Sequence, residues 1–158
     1  SGFMAQLVKD CVRFVAYCDK RGIKPAIRLN GTTDVRWELI KLDGLNLFEI
    51  FPEIMFYDYT KIANRPLDIP NYKLTFSYSE ASAVYEKQCE IALKRGMNIA
   101  VVFRDKESIP ESFLGLPTID GDKTDLRFLD PAQSIVALYA KGKARKDQSG
   151  FVIDRVAA

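Results

Sequence analysis

The chain contains no histidine. Without imidazole it cannot build a Ser-His-Asp or Cys-His nucleophilic site from its own residues. His-ligated zinc and a histidine general base are excluded on the same ground. Any catalysis falls to carboxylates, Lys, Tyr, Arg, a thiol, or a bound metal or cofactor. Cysteine is scarce: three residues with no Cys-x-x-Cys spacing, so neither a zinc ribbon nor a thioredoxin-type dithiol is expected. Cys11 and Cys18 stand seven apart within an apolar helical pattern, and Cys89 lies in a second one. Small buried thiols in a reducing, cytoplasmic setting are the expectation. No apolar run reaches the ~18 residues that span a bilayer. Net charge is nearly absent too: 23 basic against 21 acidic residues leave +2. That gives no long-range reason to expect nucleic acid, while a local basic patch stays open.

What is present suffices for a core. A chain of 158 residues, 47% of them hydrophobic, fits a single domain over residues 1–158, with a basic, loop-like segment near 141–150. An amphipathic helix runs from Phe3 through Cys18, with Lys20-Arg21 at its end and Gly22 as its stop. Apolar runs with strand character follow at Ala26–Leu29, Ile54–Tyr57, Tyr72–Phe76, Ile99–Phe103 and Ser134–Tyr139. Asp43-Gly44 is read as dividing two short helices between Val35 and Phe51. Ser79 is read as the N-cap of a helix ending at Arg95-Gly96, and Ile109–Phe113 as a helical turn. Pro117–Ile119 is read as a short extended piece, and Phe151–Ile153 as an edge strand. Strands alternating with helices predict an α/β fold: a largely parallel sheet with flanking helices, open or forming an incomplete (β/α) barrel. Eight barrel strands are not available. An open edge would call for a terminal segment or a second copy of the chain to cover it.

Four strand-like runs end in polar clusters, one of them Ile99–Phe103 into Arg104-Asp105, and the carboxyl ends of parallel strands are where ligands collect. The first cluster holds Arg28, Asn30, Thr32 and Asp34, with Trp37 and Glu38 following. Arg28 lies in an apolar run, so a buried guanidinium paired with Asp58 or Glu80, or with a ligand anion, is expected. Asn30-Gly31-Thr32-Thr33-Asp34 reads either as an anion-accepting turn or as a structural cap by Asp34. The second cluster, Asp58-Tyr59-Thr60-Lys61, brings an acid and an amine together. The third holds Ser77, Ser79 and Glu80. Asp120-Gly121-Asp122-Lys123-Thr124-Asp125 places three carboxylates within six residues. Asp120, Asp122 and Asp125 could hold a divalent metal, or form a turn in which Asp accepts from backbone amides. Arg127 stands nearby as a charge partner. The assignment is therefore Asp58, Glu80, Asp120 and Asp122 as catalytic acids, with Arg28, Asn30, Thr32, Asp34, Lys61, Ser77 and Arg127 holding the ligand. Without histidine, the most natural chemistry is binding or hydrolysis of a phosphorylated small molecule or nucleic-acid end, with a divalent metal as the candidate cofactor. The alternatives are a non-enzymatic protein acting on a host component and a remnant domain of a larger barrel enzyme. No membrane partner is expected.

Taken together, Arg28-Leu29-Asn30-Gly31-Thr32-Thr33-Asp34, Phe56-Tyr57-Asp58-Tyr59-Thr60-Lys61, Ile119-Asp120-Gly121-Asp122 and Lys141-Gly142-Lys143-Ala144 resemble, in order and spacing, the phage- and plasmid-borne gene product 88 family. The resemblance extends to about Phe151. It implies a mobile-element setting, the cytoplasm of an infected or plasmid-bearing cell, and no particular reaction. Longer members carry a cysteine-containing segment ahead of the first helix, reminiscent of radical-type iron–sulfur proteins. Cys11, Cys18 and Cys89 do not replace it, so no iron–sulfur cluster is expected here.

Overall fold

The computed structural model describes residues 2–154. Helix α1 spans Gly2–Arg21 and strand β1 Ala26–Arg28. Strands β2 (Lys41–Leu42) and β3 (Leu45–Asn46) follow, then helix α2 (Leu47–Ile50), β4 (Met55–Thr60) and β5 (Tyr72–Ser77). Helix α3 (Ala83–Lys94) leads into β6 (Ile99–Phe103), β7 (Ser112–Phe113), β8 (Leu116–Asp120), β9 (Ile135–Tyr139) and β10 (Val152–Ile153). The main sheet has the strand order β1–β4–β5–β6–β9–β8–β7, with β10 also on β6. The pairs β1–β4, β5–β6, β6–β9, β8–β9 and β10–β6 are parallel, and β7–β8 is antiparallel. The fold is mixed α/β, and its sheet is mostly parallel and open. The strands ending the order, β1 and β7, have three and two residues. Short edges limit pairing with another chain.

The chain divides into two compact units: Ser1–Asp58 with Arg65–Lys73, and Tyr59–Asn64 with Leu74–Ala158. Strands β4 and β5 each contribute to both. In the first unit, α1 buries Met4, Cys11 and Cys18, a stripe at seven-residue spacing. Gly22, at φ +63°, ends it in the left-handed conformation that glycine adopts without penalty. Phe48 stacks on Tyr72, ring centroids 4.1 Å apart, and meets Phe56 edge-on at 5.2 Å. Asn71 fixes the turn after α2 by reaching the carbonyls of Phe48, Phe51 and Ile54.

In the second unit, β6 and β9 pair along their whole length, Ile99 opposite Ile135 through Phe103 opposite Tyr139. Both strands are apolar throughout, as burial on two faces requires. Strand β5 pairs with β6 only at Ile99 and Ala100, whereas β10 pairs at Val102 and Phe103. The C-terminal segment thus continues the line that β5 leaves. Gly150 allows this approach. It sits at φ +93°, its carbonyl accepts from Glu80 N at 2.8 Å, and a Cβ there would lie 2.9 Å from the Glu80–Ala81 peptide.

Two sequence expectations give way, and two are met with a difference. Two short helical pieces, the 3₁₀ turn Trp37–Leu39 and α2, do lie on either side of Asp43-Gly44, but the dividing residues belong to a hairpin that was not expected. Both residues have positive φ, 50° and 87°, and form the two-residue turn of the β2–β3 hairpin. Leu114-Gly115, at φ 50° and 77°, turns β7 back onto β8 in the same way, so Ile109–Phe113 runs into a strand rather than a helical turn. The cap of α3 is Ser82, whose hydroxyl accepts from Tyr85 N. Ser79 instead accepts from Ala81 N at 3.2 Å, a tight turn ahead of the helix. The strand expected at Phe151–Ile153 forms as β10, which pairs with β6 and with no second strand among the described residues.

Candidate functional site

In the first unit the Asn30 turn closes on the strand next to it. The Asp58 carboxylate, fully buried, accepts from Asn30 N at 2.7 Å, from Asn30 Nδ2 at 3.2 Å and from Tyr72 Oη at 2.7 Å. The anion taken up by this turn is therefore the protein's own. Asn30 Oδ1 accepts in turn from Thr33 Oγ1, Val35 N and Trp37 Nε1. Burial raises the Asp58 pKa above its ordinary value. The Asn30 amide, the Tyr72 hydroxyl and the Arg65 charge oppose that rise without cancelling it.

Arg65, 1% exposed, anchors the other side of the cluster. Its Nε and Nη2 donate to the two Glu38 oxygens at 3.0 and 2.6 Å, its Nη1 to Asp34 at 3.1 Å, and its Nη2 also to Tyr72 Oη at 3.0 Å. Burial alone would raise the Glu38 pKa, but the hydrogen bonds and charge of Arg65 carry it below the usual carboxylate range. Burial and the Asp58 charge push the Tyr72 phenol far up, so it stays a neutral donor. A guanidinium placed in this way leaves little capacity for a ligand.

Arg28 is not the buried guanidinium. It is exposed at the end of the three-residue strand β1 and donates to Asn30 O and Gly31 O at 3.0 and 3.2 Å. An edge strand this short has a solvent side, and Arg28 is on it. Thr32 is exposed at the tip of the same turn. Asp34 is spent on Arg65 rather than on capping a helix.

In the second unit Lys61 is drawn to the end of β5. Its Nζ donates to Ser77 O at 3.1 Å and lies 3.3 Å from Ser77 Oγ, 5.1 Å from the Tyr85 ring centroid and 5.1 Å from that of Phe151. Carbonyl oxygen and ring faces attract the ammonium group. Glu80 is exposed and accepts from Tyr78 Oη at 2.9 Å.

The Asp120 loop forms at the carboxyl end of β8. Asp120 Oδ1 accepts from Asp122 N at 2.9 Å, the bond of an Asx turn. Asp122 pairs with Lys141 Nζ at 2.5 Å, while Asp125 is exposed. Among the described residues no group of three or more His, Cys, Asp or Glu is placed to hold a metal. Arg127 is buried beneath the loop. It donates to Gly121 O at 3.1 Å and to Thr124 O, with Asp130 Oδ2 3.4 Å from its Nε. Gly121 is required there, because a Cβ would meet Val136 at 2.6 Å and both Ala137 O and Arg127 Nη1 at 2.9 Å. Burial and Glu90 raise the Cys89 pKa to about 11, so this thiol is no nucleophile near neutral pH.

Two cavities lie at the carboxyl ends of β6, β8 and β9. One, of about 500 Å³, is lined by Glu111, Thr118, Asp120, Asp122 and Lys123 among others. The second, of about 480 Å³, is lined by Arg104, Asp105, Glu107, Ala140 and Arg145. Lys106 and Tyr139 line both, so the two cavities adjoin and are treated together as one groove. These volumes suit a small ligand. Arg104 is held by Asp154 at 2.6 Å and by Arg145 O at 2.8 Å, whereas Lys106, Lys123 and Arg145 form no ion pair among the described residues. The turn Gly142–Lys146 adds Lys143 and Lys146 beside Arg145.

Of the residues singled out in the sequence, Asn30, Asp34 and Asp58 join one closed network, Lys61 meets Ser77, and Asp120 and Asp122 reach the groove. Arg65, Tyr72, Lys106, Glu111 and Thr118 were not singled out. Arg65 stands between Asn64 and Pro66 in a connection that reads as an exposed loop, with no local sign of burial. Among the described residues no helix is long and apolar enough to cross a membrane. No curated protein and no solved structure matches the sequence. A family model described as gene product 88 matches residues 1–155, and the chain belongs to that family.

Proposed function

We propose that the groove at the carboxyl ends of β6, β8 and β9 binds a phosphorylated ligand. The observation that carries this reading is the cluster in its second cavity: Lys106 and Arg145 line the wall with Asp105 and Glu107 yet form no ion pair among the described residues, and Lys143 and Lys146 add positive charge on the adjoining turn. The chain as a whole has almost no net charge, so this concentration is local. Guanidinium and ammonium groups lacking internal partners are the donors that a phosphate recruits. The Asn30 turn is the weaker candidate because Asp58 already occupies it.

Binding is the part of the reading that the geometry supports best. Hydrolysis would need an acid or a metal brought to the phosphorus, and Asp120 and Asp122 are engaged with a backbone amide and with Lys141.

Titration calorimetry with inorganic phosphate, sugar monophosphates and nucleoside monophosphates tests the proposal at low ionic strength. At least one probe should bind, and added salt should weaken it. The double variant Lys106→Glu/Arg145→Glu should lower its affinity by about tenfold or more, the effect of losing charge-assisted hydrogen bonds. Failure of every probe, or unchanged affinity in the double variant, would overturn the reading.

A further inference from the structure

The segment that carries β10 is fastened to the groove through one side chain. Arg104, the first residue after β6, lines the second cavity together with Lys106 and Arg145. Its Nε and Nη2 donate to the two oxygens of Asp154, at 2.6 and 2.8 Å, and its Nη1 donates to Arg145 O at 2.8 Å. A carboxylate thus fills the guanidinium fork in the two-point geometry that a phosphate also takes. Backbone pairing delivers Asp154 to this position. Val152 and Ile153 just before it are buried against Val102 and Phe103 of β6, and Arg104 N donates to Ile153 O at 3.1 Å. The Asp154 side chain itself is 63% exposed, so it can turn into water while the strand stays paired. Asp105 and Asp147 add negative charge around Arg104, but their carboxylates accept from Ser108 N and Ser149 Oγ.

Resting on the phosphate-binding reading above, we infer that Asp154 is an internal competitor for the anion site, and that it and the ligand's phosphate take turns on the Arg104 fork. A guanidinium has five N–H donors, and three of them are used here. A phosphate content with the remaining two would share one cation with a carboxylate at close range. Displacing Asp154 into water relieves that repulsion and gives the phosphate the fork. Lys106 and Arg145 then hold the incoming anion while Arg104 changes partner. The coupling is reciprocal, so a bound phosphate also removes one of the ties that hold the β10 segment.

The test uses the full chain, with inorganic phosphate and the best-bound monophosphate as probes at low ionic strength. Asp154→Asn keeps the side chain's size and removes the charge that holds the fork. It should tighten both probes about twofold to fivefold, the range that an exposed ion pair spans. Glu107→Gln removes a carboxylate that lines the same cavity without bonding Arg104, and it should tighten them clearly less. In an Arg104→Gln background, Asp154→Asn should bring little gain. Equal gains in Asp154→Asn and Glu107→Gln, or a gain that persists without Arg104, would make the effect one of general charge and overturn the competition. A readout that needs no variant is the Nε–H resonance of Arg104, which saturating phosphate should move in the wild type. A resonance that stays in place would show that Asp154 keeps the fork. If Asp154→Asn leaves affinity unchanged while Lys106→Glu/Arg145→Glu still abolishes binding, phosphate recognition stands and only the competition falls. If no probe binds the wild type or Asp154→Asn, both readings fall.

Discussion

Two polar clusters, one in each unit, use similar residue types to opposite ends. In the first unit Arg65, Glu38, Asp34, Tyr72, Asp58 and Asn30 form a chain of hydrogen bonds in which the buried charges answer one another. In the second unit Lys106, Lys123 and Arg145, and the carboxylates Asp105, Glu107, Glu111 and Asp120, stand around a groove and form no ion pair among the described residues. The closed cluster costs much to desolvate and returns specificity of structure. The open one stays solvated and keeps its donors available. Density of charged residues therefore does not mark a site. What marks it is whether internal partners use up the hydrogen-bonding capacity.

The sharpest way to break this comparison is Arg65→Ala. It would leave the buried Glu38 with only the half-exposed Arg36, whose Nε lies 3.4 Å away, and should cost about 3–5 kcal/mol, read as a shift of the urea midpoint. Arg28→Ala, at the exposed end of β1, should cost no more than about 0.5 kcal/mol. If the two losses were alike, the network would be solvated and the distinction between the clusters would fail.

A smaller effect is expected under the open cluster, where packing rather than charge sets the loop. Gly121→Ala places a methyl against Val136, Ala137 O and Arg127. The overpacking should cost about 1–3 kcal/mol. The loop would shift, so phosphate affinity should fall along with stability. A variant as stable as the wild type would show that the loop yields easily.

These two arginines also show how far the sequence could be read. The periodic segments α1, α3, β4, β6 and β9 were legible, because apolar spacing and terminal glycines report burial directly. The open, mostly parallel sheet followed from their alternation. The Asp43-Gly44 hairpin carried a readable signal, an Asp-Gly pair, outweighed by the helical composition around it. Ser82 lost to Ser79 as a cap because both precede the same apolar pattern. The identity of the buried guanidinium was not legible at all. Arg28 lies in an apolar triplet and is exposed, whereas Arg65 lies among polar and proline residues and is enclosed. Tertiary partners 27 and 31 residues away, Glu38 and Asp34, decide that outcome. The groove was half legible: Asp120, Asp122 and the basic turn stood out, while Lys106, Glu111 and Thr118 join them only through the β7–β8 hairpin.

Tyr72→Phe sharpens the comparison through pH. The phenol donates to Asp58 and accepts from Arg65, and its loss should cost about 1–2 kcal/mol at pH 7. The folded Asp58 has its pKa raised from 3.8 by burial, so its contribution to stability is full below that value and declines as pH rises through the folded value. Glu38 has the opposite sign: its pKa is lowered from 4.5, and its contribution is lost as pH falls through the folded value. Removing the Tyr72 donor raises the Asp58 pKa further, so the deficit of the variant should shrink toward pH 4 and be largest near neutrality. A deficit independent of pH would mean that the hydroxyl is not a donor to an ionised Asp58.

The smallest expected effect concerns divalent ions at the open cluster. Three nearby carboxylates invite Mg²⁺, Mn²⁺ or Ca²⁺, yet a site needs several oxygens converging at about 2.0–2.6 Å from one point. Asp120 accepts from Asp122 N, Asp122 is turned to Lys141, and Asp125 is exposed. An ion held only by the folded protein raises the melting temperature in proportion to the logarithm of its concentration once the site is saturated. The melting temperature should therefore not respond specifically to these ions at millimolar concentrations beyond the effect of matched ionic strength, and Asp122→Asn should behave alike. A rise in the wild type that disappears in Asp122→Asn would show that Lys141 is displaced by a cation, and the loop would then count as a metal site. A rise that persists in the variant would place the ion elsewhere and leave the turn as described.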